Sequence, residues 1–137
     1  MSDCVFCKIV KWETPSQRVY EDDQYIAFLD INPINPGHTL VIPRDHYENV
    51  LDVPEEVLAG MIKIAKKVAP AVVGAMKADG FNIGINNGRA SGQLVDHVHI
   101  HIIPRHENDN LKSWPSRSRY ADGEMGATAK KIKDAIK

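Results

Sequence analysis

Three histidines alternate with aliphatic residues in the run His97-Val98-His99-Ile100-His101-Ile102. Side chains of an extended chain point alternately to opposite faces, so the three imidazoles would share one face. The aliphatic residues would share the other face and pack on a core. β-branched residues favour this conformation, and Pro104 is expected to end the strand. The run therefore predicts a strand that presents three imidazoles in a row.

A row of imidazoles permits three interpretations. Neutral imidazole is a common metal ligand, so the three rings could bind a metal ion. Histidine also titrates near neutral pH, which suits nucleophilic and acid–base chemistry. Finally, the rings could be polar decoration of a strand that faces solvent. The strict alternation over three repeats favours metal binding or catalysis over decoration.

The loop of residues 86–93 lies directly before the histidine run. Gly88 and Gly92 allow the backbone to approach an anion closely, and successive amides there could form an anion-binding nest. Asn86 and Gln93 carry amide groups that could donate to phosphate oxygens. Hairpin connections also contain glycine, but the position of this loop before three histidines favours a phosphate-binding role.

Both cysteines lie near the N-terminus in the run Cys4-Val5-Phe6-Cys7. In a reducing compartment this spacing indicates metal or redox use rather than a structural disulfide. A thioredoxin-like role would require a βαβ context, which we do not find in the sequence. A zinc site would need two further ligands, and His46 and His97 are available for it. The alternative is two free thiols and an exposed His46.

The histidine run resembles the signature of the histidine triad (HIT) family of nucleotide hydrolases and transferases. The preceding loop resembles the phosphate loop of that family, and residues 28–31 (FLDI) and 37–43 (GHTLVIP) resemble it further upstream, in the expected order. Within the family, the chain is most similar to the adenosine phosphoramidase-like branch of archaea and bacteria. The resemblance implies one HIT domain over residues 1–137, with a core at about 4–106 and a C-terminal extension at about 107–137.

The resemblance also implies catalytic roles. His99 would attack the α-phosphorus of a nucleotide and form a nucleotidyl-histidine, which water then hydrolyses. His101 would contact a phosphate oxygen and, if protonated, assist the leaving group, while His38 would help to orient the site. The implied substrates are adenosine (purine) nucleotides, with AMP released from phosphoramidates or dinucleoside polyphosphates. Two alternatives stay open, namely a metal-dependent hydrolase with three histidine ligands and a non-catalytic AMP-binding regulatory module.

The nucleotide-binding residues follow from the same resemblance. Asp30 would bind the ribose hydroxyls, although it could simply cap the loop after its strand. Apolar residues would line the adenine pocket, unless they only pack the core. At position 94, many family members carry Ser or Thr where this chain has Leu, so the side chain cannot contact phosphate or the leaving group. The implied set is Phe6, Ile9, Phe28, Asp30, Ile31, Asn86, Gly92, Gln93, Leu94, Val95, His99 and His101.

Some family members bind structural zinc through the residues that match Cys4, Cys7, His46 and His97. Such a site would hold His97 in place and thereby fix the neighbouring His99. The nucleotidyl-histidine chemistry requires no catalytic metal, so this zinc would be structural.

The sequence predicts an α+β fold with an antiparallel sheet of about five strands, one long helix and a C-terminal helix. The strands are predicted at 18–21, 25–29, 38–43, 81–85 and the histidine run. A turn of helix is predicted at 3–10, and the long helix at 54–78 is expected to kink or break at Pro70. The last helix is predicted at 122–137, with Asp122 as its cap.

The chain has 137 residues and a formal net charge of −1. That length suits one domain, and the charge gives no general attraction to nucleic acid or membrane. We identify neither a signal-peptide pattern nor an apolar run that could span a bilayer, so a cytoplasmic location is expected. The resemblance also implies a homodimer, which the apolar stripe of the long helix would permit.

Overall fold

The computed structural model describes residues 3–112 and 114–137. Its regular elements, in chain order, are helix α1 (Val5–Val10), strands β1 (Arg18–Glu21), β2 (Tyr25–Leu29) and β3 (Thr39–Pro43), helix α2 (Glu55–Met76), strand β4 (Gly80–Gly84), a 3₁₀ turn (Arg89–Ser91), strand β5 (Ile100–Arg105) and helix α3 (Glu124–Ala135). The strands form one antiparallel sheet in the order β1-β2-β3-β5-β4. This arrangement confirms the predicted α+β fold.

The two faces of the sheet carry different cores. On one face α2 covers residues such as Val41, Ile100 and Ile102, which are fully buried. On the other face α1 packs its Phe6 and Ile9 in a second cluster, which is completed by Ile26, Phe28, Leu40 and Ile42. His101 stands opposite Leu40 in the ladder between β3 and β5. Since residues directly opposite each other share a face, the His101 side chain lies on the α1 side.

The regular strand of the histidine run is shorter at its start and longer at its end than predicted. It begins at Ile100, so His97 and His99 lie in the segment that leads into β5. Pro104 lies inside the strand, which ends at Arg105. The Pro104 carbonyl accepts from Asn35 Nδ2 at 2.9 Å, beyond the first residue of β3. The N–H that proline lacks would point to the same side as this carbonyl, where β3 has not yet begun. Its absence therefore removes no hydrogen bond between strands.

Two helices differ in detail from the predicted ones. Helix α2 continues through Pro70 to Met76 instead of breaking. Ala69 and Val72 are buried against the sheet, which holds the helix in place. Pro70 is exposed, so water can bond the carbonyl one turn earlier that has lost its N–H partner. Helix α3 begins at Glu124 with Gly123 at the N-cap, so Asp122 is not the cap.

Among the helices of residues 3–112 and 114–137, none combines enough length with enough apolar character to cross a bilayer.

Candidate active site and metal centre

His97 is held between β3 and α1. Its ring is fully buried, and Nε2 lies 2.8 Å from the carbonyl oxygen of Pro43 at the end of β3. Because a carbonyl only accepts, Nε2 carries the proton and Nδ1 keeps its lone pair. That Nδ1 lies 3.5 Å from Cys4 Sγ and 3.6 Å from Cys7 Sγ. The fixed tautomer thus directs a free lone pair of His97 at both sulfur atoms.

Four side chains form a cluster of the kind that binds zinc. Cys7 Sγ lies 3.4 Å from His46 Nδ1, and the ligand atoms of Cys4, Cys7, His46 and His97 all lie within 4.8 Å of one another. Zinc bonds of about 2.3 Å to sulfur and 2.05 Å to nitrogen, at the tetrahedral angle, imply sulfur–nitrogen separations of about 3.6 Å. Three of the four sulfur–nitrogen distances in the cluster, at 3.4 to 3.6 Å, match this value. The cluster is therefore consistent with a tetrahedral zinc site.

Helix α1 positions the two sulfur atoms. Cys4 is its N-cap residue, and Cys4 Sγ accepts from the backbone amide of Cys7 at 3.4 Å. Burial raises the pKa of the Cys7 thiol, and a hydrogen bond and the charge of Cys4 raise it further. A bound cation would reverse this effect because it favours the thiolate form.

His99 is fixed in the opposite sense to His97. Its Nδ1 lies 2.7 Å from the carbonyl oxygen of His97, so Nδ1 carries the proton and Nε2 keeps a lone pair. Burial lowers the pKa of His99, which favours the neutral, nucleophilic ring. The Phe6 ring meets it edge-on, with centroids 5.1 Å apart. This geometry suits a nucleophile.

His101 and His38 form a hydrogen-bonded pair. The amide of Ile34 donates to His38 Nδ1 at 3.1 Å, so that nitrogen carries no proton and His38 Nε2 does. His38 Nε2 lies 2.8 Å from His101 Nδ1 and donates to it. The proton of neutral His101 must then sit on Nε2. His101 therefore offers an N–H donor where the neighbouring His99 offers a lone pair.

The three histidines of the run face different partners. The Nδ1 atoms of His97, His99 and His101 face the cysteine cluster, a backbone carbonyl and His38, respectively. Asp30, His38 and His101 also lie close together. However, two imidazole nitrogens on one tetrahedral zinc would be about 3.3 Å apart, which is longer than the 2.8 Å between His38 and His101. The arrangement favours hydrogen bonding over the alternative in which all three histidines bind one metal.

The buried imidazoles make stability depend on pH. Burial, together with the charges of His99 and His38, lowers the pKa of His101 from 6.5 to about 4, against the opposing effect of Asp30. The unfolded chain therefore binds this proton more readily than the folded chain. As pH falls from about 6.5 to about 4, the free energy of unfolding should decrease by up to about 3 kcal/mol through this group. Urea unfolding across that range should show the decrease.

The variant His101→Gln isolates that contribution. Its difference in stability from the unaltered protein should change between pH 6.5 and pH 4, because glutamine does not titrate. A difference that stays constant over this range would contradict the assignment of a depressed pKa to His101.

The structure corrects the expectation for the Gln93 side chain, which was predicted to donate to phosphate. Gln93 is buried, and its Nε2 donates to the carbonyls of Glu48 at 2.7 Å and Val95 at 3.0 Å. Its Oε1 accepts from the amide of Gly88 at 2.8 Å. The side chain therefore shapes the loop, and the backbone is the part of Gln93 that remains for an anion.

Two carbonyls of the segment from Gln93 to Val95 accept hydrogen bonds from side chains of the same loop. Arg89 Nη1 donates to the Gln93 carbonyl, and Gln93 Nε2 donates to that of Val95. In a trans peptide the N–H points away from the C=O, so the amides of Leu94 and Asp96 point the other way. Within the residues that the structure describes, neither amide donates to a backbone carbonyl. These N–H groups remain available to an anion.

The other predicted nucleotide-binding residues fall into three groups. Phe6, Ile9 and Phe28 are buried together, with Val95 packed against their cluster. Ile31 and Leu94 are exposed, at 91% and 82%, and so do not share that packing. The remaining members of the predicted set lie in the loops, where Asn86 is half-buried and Gly92 has a left-handed backbone with φ of 102°.

Asp30 caps the loop that follows its strand, and its second carboxylate oxygen lies beside the histidine pair. Its Oδ1 caps the following loop by accepting from the amide of Asn32 at 2.9 Å. Its Oδ2 lies 3.7 Å from His38 Nε2, beside the histidine pair. The cap leaves one carboxylate oxygen at the site. Asp96 is exposed and pairs with Arg89, as expected for a surface charge.

Several groups that organise the site were not among the predicted residues. They are the Pro43 carbonyl, the Ile34 amide and the side chain of Arg89. The first two are backbone atoms, whose direction depends on the fold rather than on the residue type. Arg89 lies within the predicted phosphate loop, and its charge is the one signal that could have identified it.

The fold is α+β, and it places an imidazole lone pair on His99 beside an imidazole N–H on His101. A family model described as the HIT domain matches residues 11–108. An uncharacterised HIT-like protein of Methanocaldococcus jannaschii is 53% identical over 106 residues, which cover 77% of this chain and 81% of that protein. The chain belongs to the HIT family.

Two relatives carry names that describe an activity. The chain is 42% identical over 116 residues to the adenosine 5′-monophosphoramidase of Saccharomyces cerevisiae, over 83% of this chain and 71% of that protein. It is 46% identical over 117 residues to the adenylylsulfatase of Arabidopsis thaliana. That match covers 85% of this chain but 58% of the plant protein.

Solved structures agree with the fold. A HIT family protein of Bacillus subtilis superimposes with a TM-score of 0.89 at 35% identity, over 98% of both chains. A histidine triad family protein of Mycobacterium smegmatis, described as zinc-bound, superimposes with a TM-score of 0.77 at 39% identity, over 98% of this chain and 99% of the other.

Proposed function

We propose that this protein is a nucleotide hydrolase that acts at the α-phosphate of AMP-containing substrates through a covalent intermediate on His99. The observation that carries the proposal is the pair of opposite tautomers. His99 offers the lone pair of Nε2 and His101 offers an N–H, with ring centroids 4.8 Å apart. The names of the yeast and plant relatives support the same class of reaction.

In the proposed first step, His99 Nε2 attacks phosphorus and forms a nitrogen–phosphorus bond. The bond to the leaving group breaks, and that group departs with the bonding electrons. The amides of Leu94 and Asp96 stabilise the charge that builds up on the phosphate, and the N–H of His101 donates a hydrogen bond to the departing atom. Water then attacks the same phosphorus, releases AMP and restores the His99 lone pair.

The nucleoside would lie between Asp30 and the apolar residues of α1 and β2. Asp30 would accept from the ribose hydroxyls, while Phe6, Ile9 and Phe28 would present ring and side-chain edges to a purine. Leu94 supplies only its amide, so the leaving group receives no side-chain hydroxyl. Adenosine phosphoramidates and dinucleoside polyphosphates are the proposed substrates, because both place an α-phosphate within reach of the same nucleophile.

We further propose that zinc binds at Cys4, Cys7, His46 and His97 as a structural ion. The sulfur–nitrogen distances and the zinc-bound mycobacterial relative support this assignment. Bound zinc would cross-link α1 to His46, in the segment after β3, and to His97. The carbonyl of His97, which holds His99, would thereby gain a fixed position.

We also propose that the protein forms a homodimer. Strand β4 is an edge strand, and its Phe81 and Ile83 are each 45% exposed. An exposed apolar edge is normally covered in a stable protein. Light scattering should give twice the mass of one chain, whereas a monomer mass at micromolar concentration would contradict the dimer.

Stereochemistry tests the covalent route. Each in-line displacement inverts phosphorus, so two successive displacements through His99 should give overall retention of configuration. A single diastereomer of an adenosine phosphoramidothioate, hydrolysed in ¹⁸O-labelled water, would report the outcome. Overall inversion would mean direct attack by water and would contradict the intermediate. Absence of hydrolysis of this substrate, of the oxygen phosphoramidate and of diadenosine polyphosphate would favour the AMP-binding module instead.

A further inference from the structure

We infer that Asn35 and Asp109 are positioning residues that set the tautomer of His101 from outside the active site. The inference rests on the proposed function for the role of His101 in the reaction. The tautomer itself can be measured without any substrate.

Asp109 lies at the centre of a dense set of hydrogen bonds. Arg105 donates to its two carboxylate oxygens at 2.8 and 3.1 Å, and the amides of His106 and Leu111 donate at 3.0 Å each. Its side chain is only 9% exposed. An ion pair this well satisfied fixes the turn after β5 in one conformation.

Asn35 connects that turn to the loop before β3. Its Nδ2 donates to Asp109 Oδ2 at 3.1 Å and to the Pro104 carbonyl at 2.9 Å. Its own carbonyl accepts from the amide of His38 at 3.0 Å. The side chain therefore attaches the loop to β5, while the backbone holds His38 directly.

The loop before β3, once attached to β5, determines which ring nitrogens of His38 and His101 carry a proton. With Asn35 fixed, the adjacent Ile34 directs its amide at His38 Nδ1. His38 must then donate from Nε2 to His101 Nδ1, which leaves the proton of His101 on Nε2. If the loop were free, both rings could switch tautomer together, and His101 would present a lone pair to the substrate. The carboxylate of Asp109 thus acts on His101 through three intermediate residues.

Histidine ring ¹⁵N spectra test this directly, because protonated and unprotonated ring nitrogens have well-separated resonances. In the unaltered protein, with selective assignment from His38→Gln and His101→Gln, we expect both rings to be protonated only on Nε2. Asn35→Ala and Asp109→Asn should give His101 a mixture of tautomers. Asp134→Asn is the matched control, since Asp134 also pairs with a cation four residues away, on exposed α3. It should leave the His101 spectrum unchanged.

Kinetics provide the second measurement. A hydrogen bond from His101 to the departing atom helps a basic leaving group more than an acidic one. Asn35→Ala and Asp109→Asn should therefore lower kcat about tenfold for an AMP alkylphosphoramidate and less than about threefold for the p-nitrophenyl ester of AMP, with little change in KM. If the substitutions only disturbed the fold, kcat would fall by the same factor for both substrates.

The result that overturns the inference is His101 protonated on Nδ1 in the unaltered protein, or one unchanged Nε2 tautomer in both variants. If the variants fold poorly, the spectrum of the unaltered protein still tests whether His101 is protonated on Nε2. A confirmed tautomer mixture without turnover of either substrate would remove the proposed function and leave the positioning role intact.

Discussion

Replacing His99 by alanine should lower kcat/KM for an AMP phosphoramidate by on the order of 10⁴-fold or more, because the nucleophile is lost. The fold should survive, since His97 and His101 are held by partners other than the His99 ring. Single-turnover assays of AMP release give the rate, and circular dichroism checks the fold. Free imidazole should restore part of the lost activity, because it can occupy the vacated volume and attack phosphorus.

Two controls sharpen this result. His106→Ala removes an imidazole that is half-buried beyond the end of β5 and should keep nearly full activity. His99→Gln retains a polar side chain but no nucleophilic ring nitrogen, so it should be as inactive as the alanine variant. Activity of His99→Ala within tenfold of the unaltered protein would contradict a nucleophilic role for His99.

Among substitutions at residues other than His99 and His101, removal of a proposed zinc ligand should lower the free energy of unfolding the most. The protein purified without chelators should contain one zinc ion per chain. Cys7→Ser should lose that ion and lower the free energy of unfolding by on the order of 3 kcal/mol or more, because the cross-link between α1, His46 and His97 disappears. Metal content by mass spectrometry and the urea midpoint measure the two effects.

A chelator provides the matched comparison. It should lower the Tm of the unaltered protein toward that of Cys7→Ser and leave the Tm of the variant unchanged. The covalent adduct on His99 should still form in the chelated protein, since the proposed zinc takes no part in the reaction. The zinc assignment would be wrong if the purified protein contains no zinc and adding zinc leaves its Tm unchanged.

The sequence predicted much of the fold because its patterns are local. Alternation around Ile100 and the helical spacing in α2 both reflect which side faces a core. Pro70 does not break α2, and Pro104 does not end β5, because tertiary contacts override the local cost of proline. Pro70 is exposed on a helix that the sheet supports, and the Pro104 carbonyl is satisfied by Asn35.

The candidate site was predictable only in its side-chain types. The ring tautomers depend on backbone groups, such as the carbonyl of Pro43, which lies 54 residues before His97. Gln93 illustrates the same limit. Its side-chain amide could have donated to phosphate, yet in the fold it donates to the carbonyl of Glu48, which lies 45 residues away in sequence. No spacing rule within the loop could have revealed that partner.

Mass spectrometry of the quenched enzyme tests the central claim most directly. The protein would be mixed with an AMP phosphoramidate, and separately with diadenosine polyphosphate, and quenched in base within one turnover. Basic conditions are used because phosphohistidine-type bonds break readily in acid. We predict an added AMP group on the peptide that contains His99, absent from His99→Ala. AMP release with no adduct at any quench time, or an adduct on another residue, would contradict a nucleotidyl-His99 intermediate.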